Sequence, residues 1–172
     1  YIQIAVGKGL FSGTGENEFS PDIPVTRGMF VTVLGRLHGI DAGQYVENKF
    51  TDVDAGIYYA PYIAWASENS IVSGTGDGRF SPEAQITREE AAVIIDRYAK
   101  YAGLSVEAEQ EQASAEGFAD ADSISSWSKD SVERMKNAGI LSGKTGNLFD
   151  PKGTATRAEA ATIFVKLKGW DK

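Results

Sequence analysis

One unit is written three times in this chain, and that repetition limits its fold more than any other feature. A shift of 61 residues lays Tyr1-Ile2 on Tyr62-Ile63, Ser12-Gly13-Thr14-Gly15 on Ser73-Gly74-Thr75-Gly76, Phe19-Ser20-Pro21 on Phe80-Ser81-Pro82, and Thr26-Arg27 on Thr87-Arg88. A further shift of 69 carries Ile71-Val72-Ser73-Gly74 to Ile140-Leu141-Ser142-Gly143, Phe80-Ser81-Pro82 to Phe149-Asp150-Pro151, and Thr87-Arg88-Glu89-Glu90 to Thr156-Arg157-Ala158-Glu159. The second and third copies also share an opening segment, Phe50-Thr51-Asp52-Val53-Asp54 and Phe118-Ala119-Asp120-Ala121-Asp122, followed by an aromatic at Tyr58 or Trp127. The register places the first copy's equivalent ahead of Tyr1, so that copy reads as partial and the chain as a segment of something longer. One unit of roughly 55 residues buries too little apolar surface to stand alone, so the three are expected to pool their apolar faces in one core.

Each unit reads as helix, glycine-rich loop, helix. After the loop, Phe30, Val33, Leu34 and Leu37, then Ala91, Ile94, Ile95 and Tyr98, then Ala160, Ile163, Phe164 and Leu167 recur at helical spacing and give each helix one apolar face. Thr87 with Glu90, and Thr156 with Glu159, form capping boxes in which hydroxyl and carboxylate each satisfy a backbone N–H; Met29 takes the Glu position after Thr26. A shorter helix precedes each loop, around 62–68 and 130–138, ending near Asn69 or Gly139, residues that tolerate a left-handed turn. The predicted fold is all-α, three helix-loop-helix repeats in a pseudo-threefold spindle around a central three-helix bundle. Its parts are a partial repeat over 1–40, a repeat over 50–103, an acidic linker over 104–117 and a repeat over 118–172, together one domain.

Composition excludes several functions. With no cysteine and His38 as the one histidine, disulfide scaffolds, thiolate metal sites, cysteine nucleophiles and multi-histidine centres are ruled out, and no metal or cofactor is expected. The net charge of −7 is concentrated: 105–122 holds Glu107, Glu109, Glu111, Glu116, Asp120 and Asp122 without a base, leaving 18 acids against 17 bases elsewhere. That stretch reads as a solvated linker, and nucleic acid is not an expected partner. No apolar run approaches the roughly 20 residues that span a bilayer, and no initiator Met or signal-peptide pattern opens the chain.

Helix stability does not account for Arg27, Arg88 and Arg157, each directly after its capping Thr. A cation in the first turn faces the positive end of the macrodipole, unfavourable by about 0.3–1 kcal/mol. Two uses of the charge stay open: a salt bridge to a neighbouring unit, for example to Asp52 or Asp120, or an anion pocket formed with free N–H groups of the helix N-terminus. The glycines of Ser12-Gly13, Ser73-Gly74 and Ser142-Gly143 permit positive φ or a close approach. Gly74-Thr75-Gly76-Asp77-Gly78 lacks both the Lys-Ser/Thr of a phosphate loop and the acidic pattern of a calcium loop. Tyr58, Tyr59, Tyr62, Trp65 and Trp127 suit core packing, with stacking on sugars as the other use of such faces. His38 reads as an ordinary helix-end residue, and the carboxylate pairs Asp52/Asp54 and Asp120/Asp122 as caps of the following helix.

The pattern resembles the S-layer homology domain, which occurs as three tandem copies in bacterial surface proteins. The residues that carry the resemblance are Phe50-x-Asp52-Val53, Ile71-Val72-Ser73-Gly74, Phe80-x-Pro82 and Ile86-Thr87-Arg88-Glu89-Glu90 in the second copy. In the third they are Phe118-x-Asp120, Trp127, Gly139-Ile140-Leu141-Ser142-Gly143, Phe149-x-Pro151 and Thr156-Arg157-Ala158-Glu159. The resemblance implies non-covalent, non-catalytic attachment to the bacterial cell wall, at an extracellular S-layer surface, through a secondary wall polysaccharide bearing pyruvate ketals on N-acetylmannosamine. It nominates Arg27, Arg88 and Arg157, with Thr87, Thr156, Ser73, Gly74, Ser142, Gly143, Asp52, Asp120 and Trp127, as residues of grooves between repeats. It implies no membrane insertion and a monomeric fragment. Thr26-Arg27-Gly28-Met29 departs from the family motif by lacking its Glu. The competing expectation is a structural or protein-interaction module in which the arginines tie repeats together.

Overall fold

The computed structural model describes residues 1–16, 18–106 and 117–171. Among these residues are six α-helices: α1 Ile2–Gly7, α2 Arg27–His38, α3 Ala60–Glu68, α4 Arg88–Tyr101, α5 Lys129–Asn137 and α6 Arg157–Leu167. Two single turns of 3-10 helix join them, and the only β-pairing among the described residues is a set of isolated bridges. The all-α expectation holds. Most of the acidic linker, residues 107–116, lies outside the described residues.

The long helices start where the threonines stand. Thr26, Thr87 and Thr156 are extended N-caps whose hydroxyls accept from the N–H three residues on. The boxes with Glu90 and Glu159 are complete, whereas Thr26 has only its half. Just ahead of these caps, three segments close a ring of backbone hydrogen bonds: Val25 donates to Ala155 (2.9 Å), Ala155 to Ile86 (3.0 Å) and Ile86 to Val25 (3.0 Å). Strand-like pairing in a single register is enough here, because each segment needs only two partners to complete a threefold circle.

The short helices pack across unit boundaries. α3 lies on α2, α5 on α4, and α1 on α6, so the first helix of each repeat covers the second helix of the repeat before it, and α1 closes the circle. Gly35 on α2 makes room for this, since a Cβ there would clash with the Tyr62 ring. Trp65, Ile63, Phe30, Phe164, Tyr98 and Met135 are almost wholly enclosed, with Phe30 and Phe164 4.9 Å apart where α2 meets α6. His38 stacks on Trp65 at 5.3 Å and reaches the Tyr98 hydroxyl at 3.3 Å, a helix-end packing role. α4 is fastened to the third repeat by buried Glu89, which accepts from the Ser125 N–H (3.0 Å), the Ser128 hydroxyl (3.1 Å) and Lys152.

Some local expectations are corrected. α3 begins at Ala60, ahead of the expected 62, with Pro61 in its first turn, where the missing N–H is harmless. Gly139 is left-handed (φ 69°), but after α3 the left-handed residue is Ser70 (φ 57°); Asn69 (φ −92°) instead donates its amide to the Trp65 carbonyl at 2.8 Å. Asp52 and Asp120 cap no helix through their side chains. Asp52 accepts from the Phe80 and Ser81 N–H groups, both at 2.8 Å, and Asp120 from those of Phe149 and Asp150, both at 2.7 Å. Each therefore pins the opening segment to the Phe-x-Pro segment of its own repeat, a long-range bond that spacing along the chain does not announce.

Candidate binding grooves between the repeats

The three anomalous arginines leave their own helices. Arg27 donates from Nε to the Phe80 carbonyl (3.0 Å), from Nη2 to the Ser73 carbonyl (3.3 Å) and from Nη1 to Glu90 (2.8 Å). Arg88 repeats the set on Phe149 (2.6 Å), Ser142 (2.9 Å) and Glu159 (2.6 Å). Arg157 completes the circle on Phe19 (2.8 Å) and Ser12 (2.7 Å). Each guanidinium also lies over an aromatic ring of the next repeat, with centroids at 4.6 Å (Phe80), 5.1 Å (Phe149) and 4.5 Å (Phe19). Reaching away from the helix axis removes the objection that a cation there opposes the macrodipole.

Of the two uses left open for these arginines, the salt bridge is present for Arg27 and Arg88, but its partners are Glu90 and Glu159, not Asp52 and Asp120. One carboxylate does two jobs: its Oε1 takes the arginine of the neighbouring repeat while its Oε2 takes the N–H of its own capping threonine. The expected free N–H groups at the helix N-termini are already engaged. Those of Arg27, Arg88 and Arg157 donate to Ala84, Gly153 and Ile23, and those of Gly28, Glu89 and Ala158 to Pro82, Pro151 and Pro21. Burial lowers the pKa of Arg27 against the opposing pull of Glu90, and lowers that of Arg157 with no carboxylate among the described residues opposing it.

The serine-glycine pairs edge these contacts. Their glycines are not in the left-handed region; they are needed for space, since a Cβ on Gly74 would stand 2.6 Å from the Arg79 carbonyl and 2.9 Å from the Phe50 ring. Beside them open two cavities. The one in the second repeat, about 540 Å³, is lined among others by Arg27, Ser73, Gly74, Glu90, Arg97 and Trp127. Its counterpart in the third repeat, about 240 Å³, is lined by residues that include Arg88, Ser142, Gly143, Glu159 and Thr162. Each groove thus draws an arginine from one repeat and a helix and loop from the next; in the second, Trp127 adds a wall from the repeat after that. Thr87, Thr156, Asp52 and Asp120 line neither cavity and stand behind them as supports.

Trp127 is 58% exposed and Tyr58, at the matching position of the second repeat, 52%, whereas Trp65 and Tyr59 belong to the core. The Tyr59 hydroxyl donates to Glu83 at 2.7 Å; burial and that carboxylate push its pKa up to about 12. The sequence reading passed over a second cation on each groove helix. Arg97 donates to the Ser73 hydroxyl (3.1 Å), Lys166 to the Gly139 carbonyl (2.9 Å), and Arg36 to the Leu10 carbonyl (3.5 Å). The signal was present: the same two shifts, 61 and 69, align Arg36, Arg97 and Lys166. Among the described residues no group of His, Asp and Glu is placed to hold a metal ion.

A circular, three-repeat helical domain with basic and aromatic grooves at its repeat junctions is the class of protein that this geometry defines. Comparison with known sequences agrees, because the S-layer homology domain matches residues 1–28, 49–92 and 117–161, and the chain belongs to that family. Among its relatives are an amylopullulanase of Thermoanaerobacterium thermosulfurigenes and Exoglucanase XynX of Acetivibrio thermocellus, each 34% identical over 96% of this chain but matched over only 9% and 15% of their own lengths. An S-layer protein of Bacillus thuringiensis subsp. finitimus is 27% identical over 96% of this chain and 19% of its own length. The chain therefore spans less than a fifth of these relatives. In S-layer proteins and cell-surface enzymes this domain is a non-catalytic module of cell-wall anchoring. Among the described residues no helix is long and apolar enough to cross a membrane.

Proposed function

We propose that this chain holds a larger surface protein to the bacterial cell wall by binding secondary wall polysaccharide, pyruvylated on N-acetylmannosamine, in the grooves between repeats. The observation that carries this reading is the second groove, where the exposed Trp127 ring shares one cavity with Arg97 and the Ser73-Gly74 edge. An aromatic face stacks on the C–H face of a sugar, and an exposed guanidinium takes a ketal carboxylate. Arg27 and Arg88, paired with glutamates, set the shape of the grooves, with Thr87, Thr156, Asp52 and Asp120 behind them; Arg97 and Lys166 present charge to the glycan. Domain by domain, catalysis belongs elsewhere in the parent protein.

Calorimetric titration with purified wall polymer, before and after mild acid removal of pyruvate, tests the reading. Saturable heat that disappears with the ketal supports it. Arg97→Ala combined with Lys166→Ala should weaken binding by about tenfold or more, as expected for lost charge-assisted contacts, and leave the melting temperature nearly unchanged. The ties that Arg27 and Arg88 make between repeats favour a second reading, a structural module of the surface layer. Absence of saturable heat with either polymer preparation would select it.

A further inference from the structure

The three junctions are built alike except at one position. Where Glu90 and Glu159 place a carboxylate between an arginine and a capping threonine, the first repeat has Met29. Arg157 is held by Nε and Nη2 in the same way as Arg27, so its Nη1 is turned to the place that a glutamate would fill, and among the described residues no carboxylate lies within ion-pair distance of it. It is nonetheless only 8% exposed. On the threonine side, the Thr87 N–H gives 2.8 Å and its hydroxyl 3.0 Å to Glu90, whereas the Thr26 N–H makes no hydrogen bond among the described residues. Arg157 Nη1, the Thr26 N–H and the Thr26 hydroxyl, which only accepts from the Met29 N–H, thus have no acceptor among the described residues, and Met29 beside them is 37% exposed. A buried cation lacking a counter-charge is costly, and an anion that supplied one would be held by charge-assisted bonds from both sides.

We propose that the first groove binds a carboxylate from outside the chain, at the position occupied by Glu90 and Glu159 in the other two, between Arg157 Nη1 and the Thr26 N–H and hydroxyl. The grooves are then not equivalent. The first takes the carboxylate into the junction itself, while the second and third meet it at Arg97 and Lys166. Arg36, whose Nη1 donates to the Leu10 carbonyl at 3.5 Å, is the first repeat's counterpart of Arg97 and Lys166. The carboxylate can come from a free small acid or from the ketal of a wall glycan, and for the glycan the inference rests on the reading above.

The test is amide and arginine side-chain NMR of the whole chain titrated with sodium acetate, ionic strength being held constant with chloride. The Thr26 amide and the Arg157 side-chain signals should shift saturably, and the shift should vanish in Met29→Glu, which supplies the counter-charge internally. The same substitution should raise the melting temperature by about 2–4 °C, the shift that a stabilisation of about 1 kcal/mol gives in a domain of this size. Met29→Gln, which caps the Thr26 N–H without neutralising Arg157, keeps the comparison if the Glu variant folds poorly, and should reduce the acetate response at Thr26 while preserving it at Arg157. No saturable acetate shift at these two residues in the wild type, or an equal shift in Met29→Glu, overturns the proposal. Displacement of acetate by pyruvylated polymer, and not by acid-treated polymer, assigns the glycan as source; an acetate response without polymer displacement assigns the free acid. Polymer binding with no response at Thr26 or Arg157 overturns this site and leaves the wall-binding reading standing. A response to acetate with no polymer binding does the reverse.

Discussion

At the scale of single residues, a conspicuous feature is an arginine whose charge is used in the neighbouring repeat. Arg88 makes three hydrogen bonds to the third repeat, one of them to Glu159 at 2.6 Å, and is 6% exposed. Arg88→Ala removes all three and leaves Glu159 half-satisfied, at a cost of about 3 kcal/mol. That corresponds to a fall of roughly 6–12 °C in melting temperature. Arg157→Ala should lower it less, because no ion pair is broken, and equal losses would contradict the asymmetry at Met29. The anomaly of these arginines was legible in the sequence as a cation in the wrong place on a helix. Its partner was not, because Asp52 and Glu90 carry the same charge and Glu90 already had a use as a cap. The double use of one carboxylate is a property of two repeats in contact, which no spacing within one repeat expresses.

At the scale of elements, α4 is tied to α5 by a carboxylate buried on its flank. The Asp96 side chain is 2% exposed and accepts from Arg134 (2.7 and 2.9 Å), Ser131 (2.8 Å) and Lys100 (3.0 Å). Burial by itself raises its pKa, but the bonds from Arg134, Lys100 and Ser131 together outweigh it and hold the carboxyl at about 2. A folded pKa below the unfolded one contributes stability that is complete above about pH 4 and is lost as pH falls towards 2, on the order of 2 kcal/mol. Asp96→Asn should flatten stability against pH over that window, and denaturant melts at pH 5, 3.5 and 2.5, taken as about the spread needed, would show no flattening if the carboxylate were idle. Helix starts were legible because a threonine followed by Glu at the third position is a local signal. Helix ends were less so: Ser70 rather than Asn69 is left-handed, and the Asn69 amide is given to the Trp65 carbonyl. The serine-glycine pairs were legible as sites of close approach, but not that space against the Arg79 carbonyl and the Phe50 ring, and no left-handed φ, is what calls for glycine at 74.

At the scale of the whole molecule, the repeats are linked in a circle rather than stacked in a line. Helical spacing shows which face of a helix is apolar and not which helix will cover it, so the packing of α1 on α6, of α3 on α2 and of α5 on α4 was not readable in advance. The consequence is cooperative. In a linear array, damage at one end stays largely at that end, because each repeat contacts only its neighbours. Here the first residues cover the last helix: Ala5, Leu10 and Phe11 are buried, and the Phe11 and Phe164 rings lie 6.3 Å apart. Removing residues 1–11 strips a buried Leu and Phe from that face, each worth about 2–5 kcal/mol, and takes Phe11 from its place over the Arg157 guanidinium. The ring of Val25, Ile86 and Ala155 would carry the loss on to the second repeat, which residues 1–11 do not cover. Hydrogen exchange of the truncated chain should therefore show protection falling in α4 and α5 together with α6, and its thermal unfolding should remain one transition at a lower temperature. Protection lost in α6 alone, with α4 and α5 unchanged, would mean that the circle is closed in geometry but not in energy.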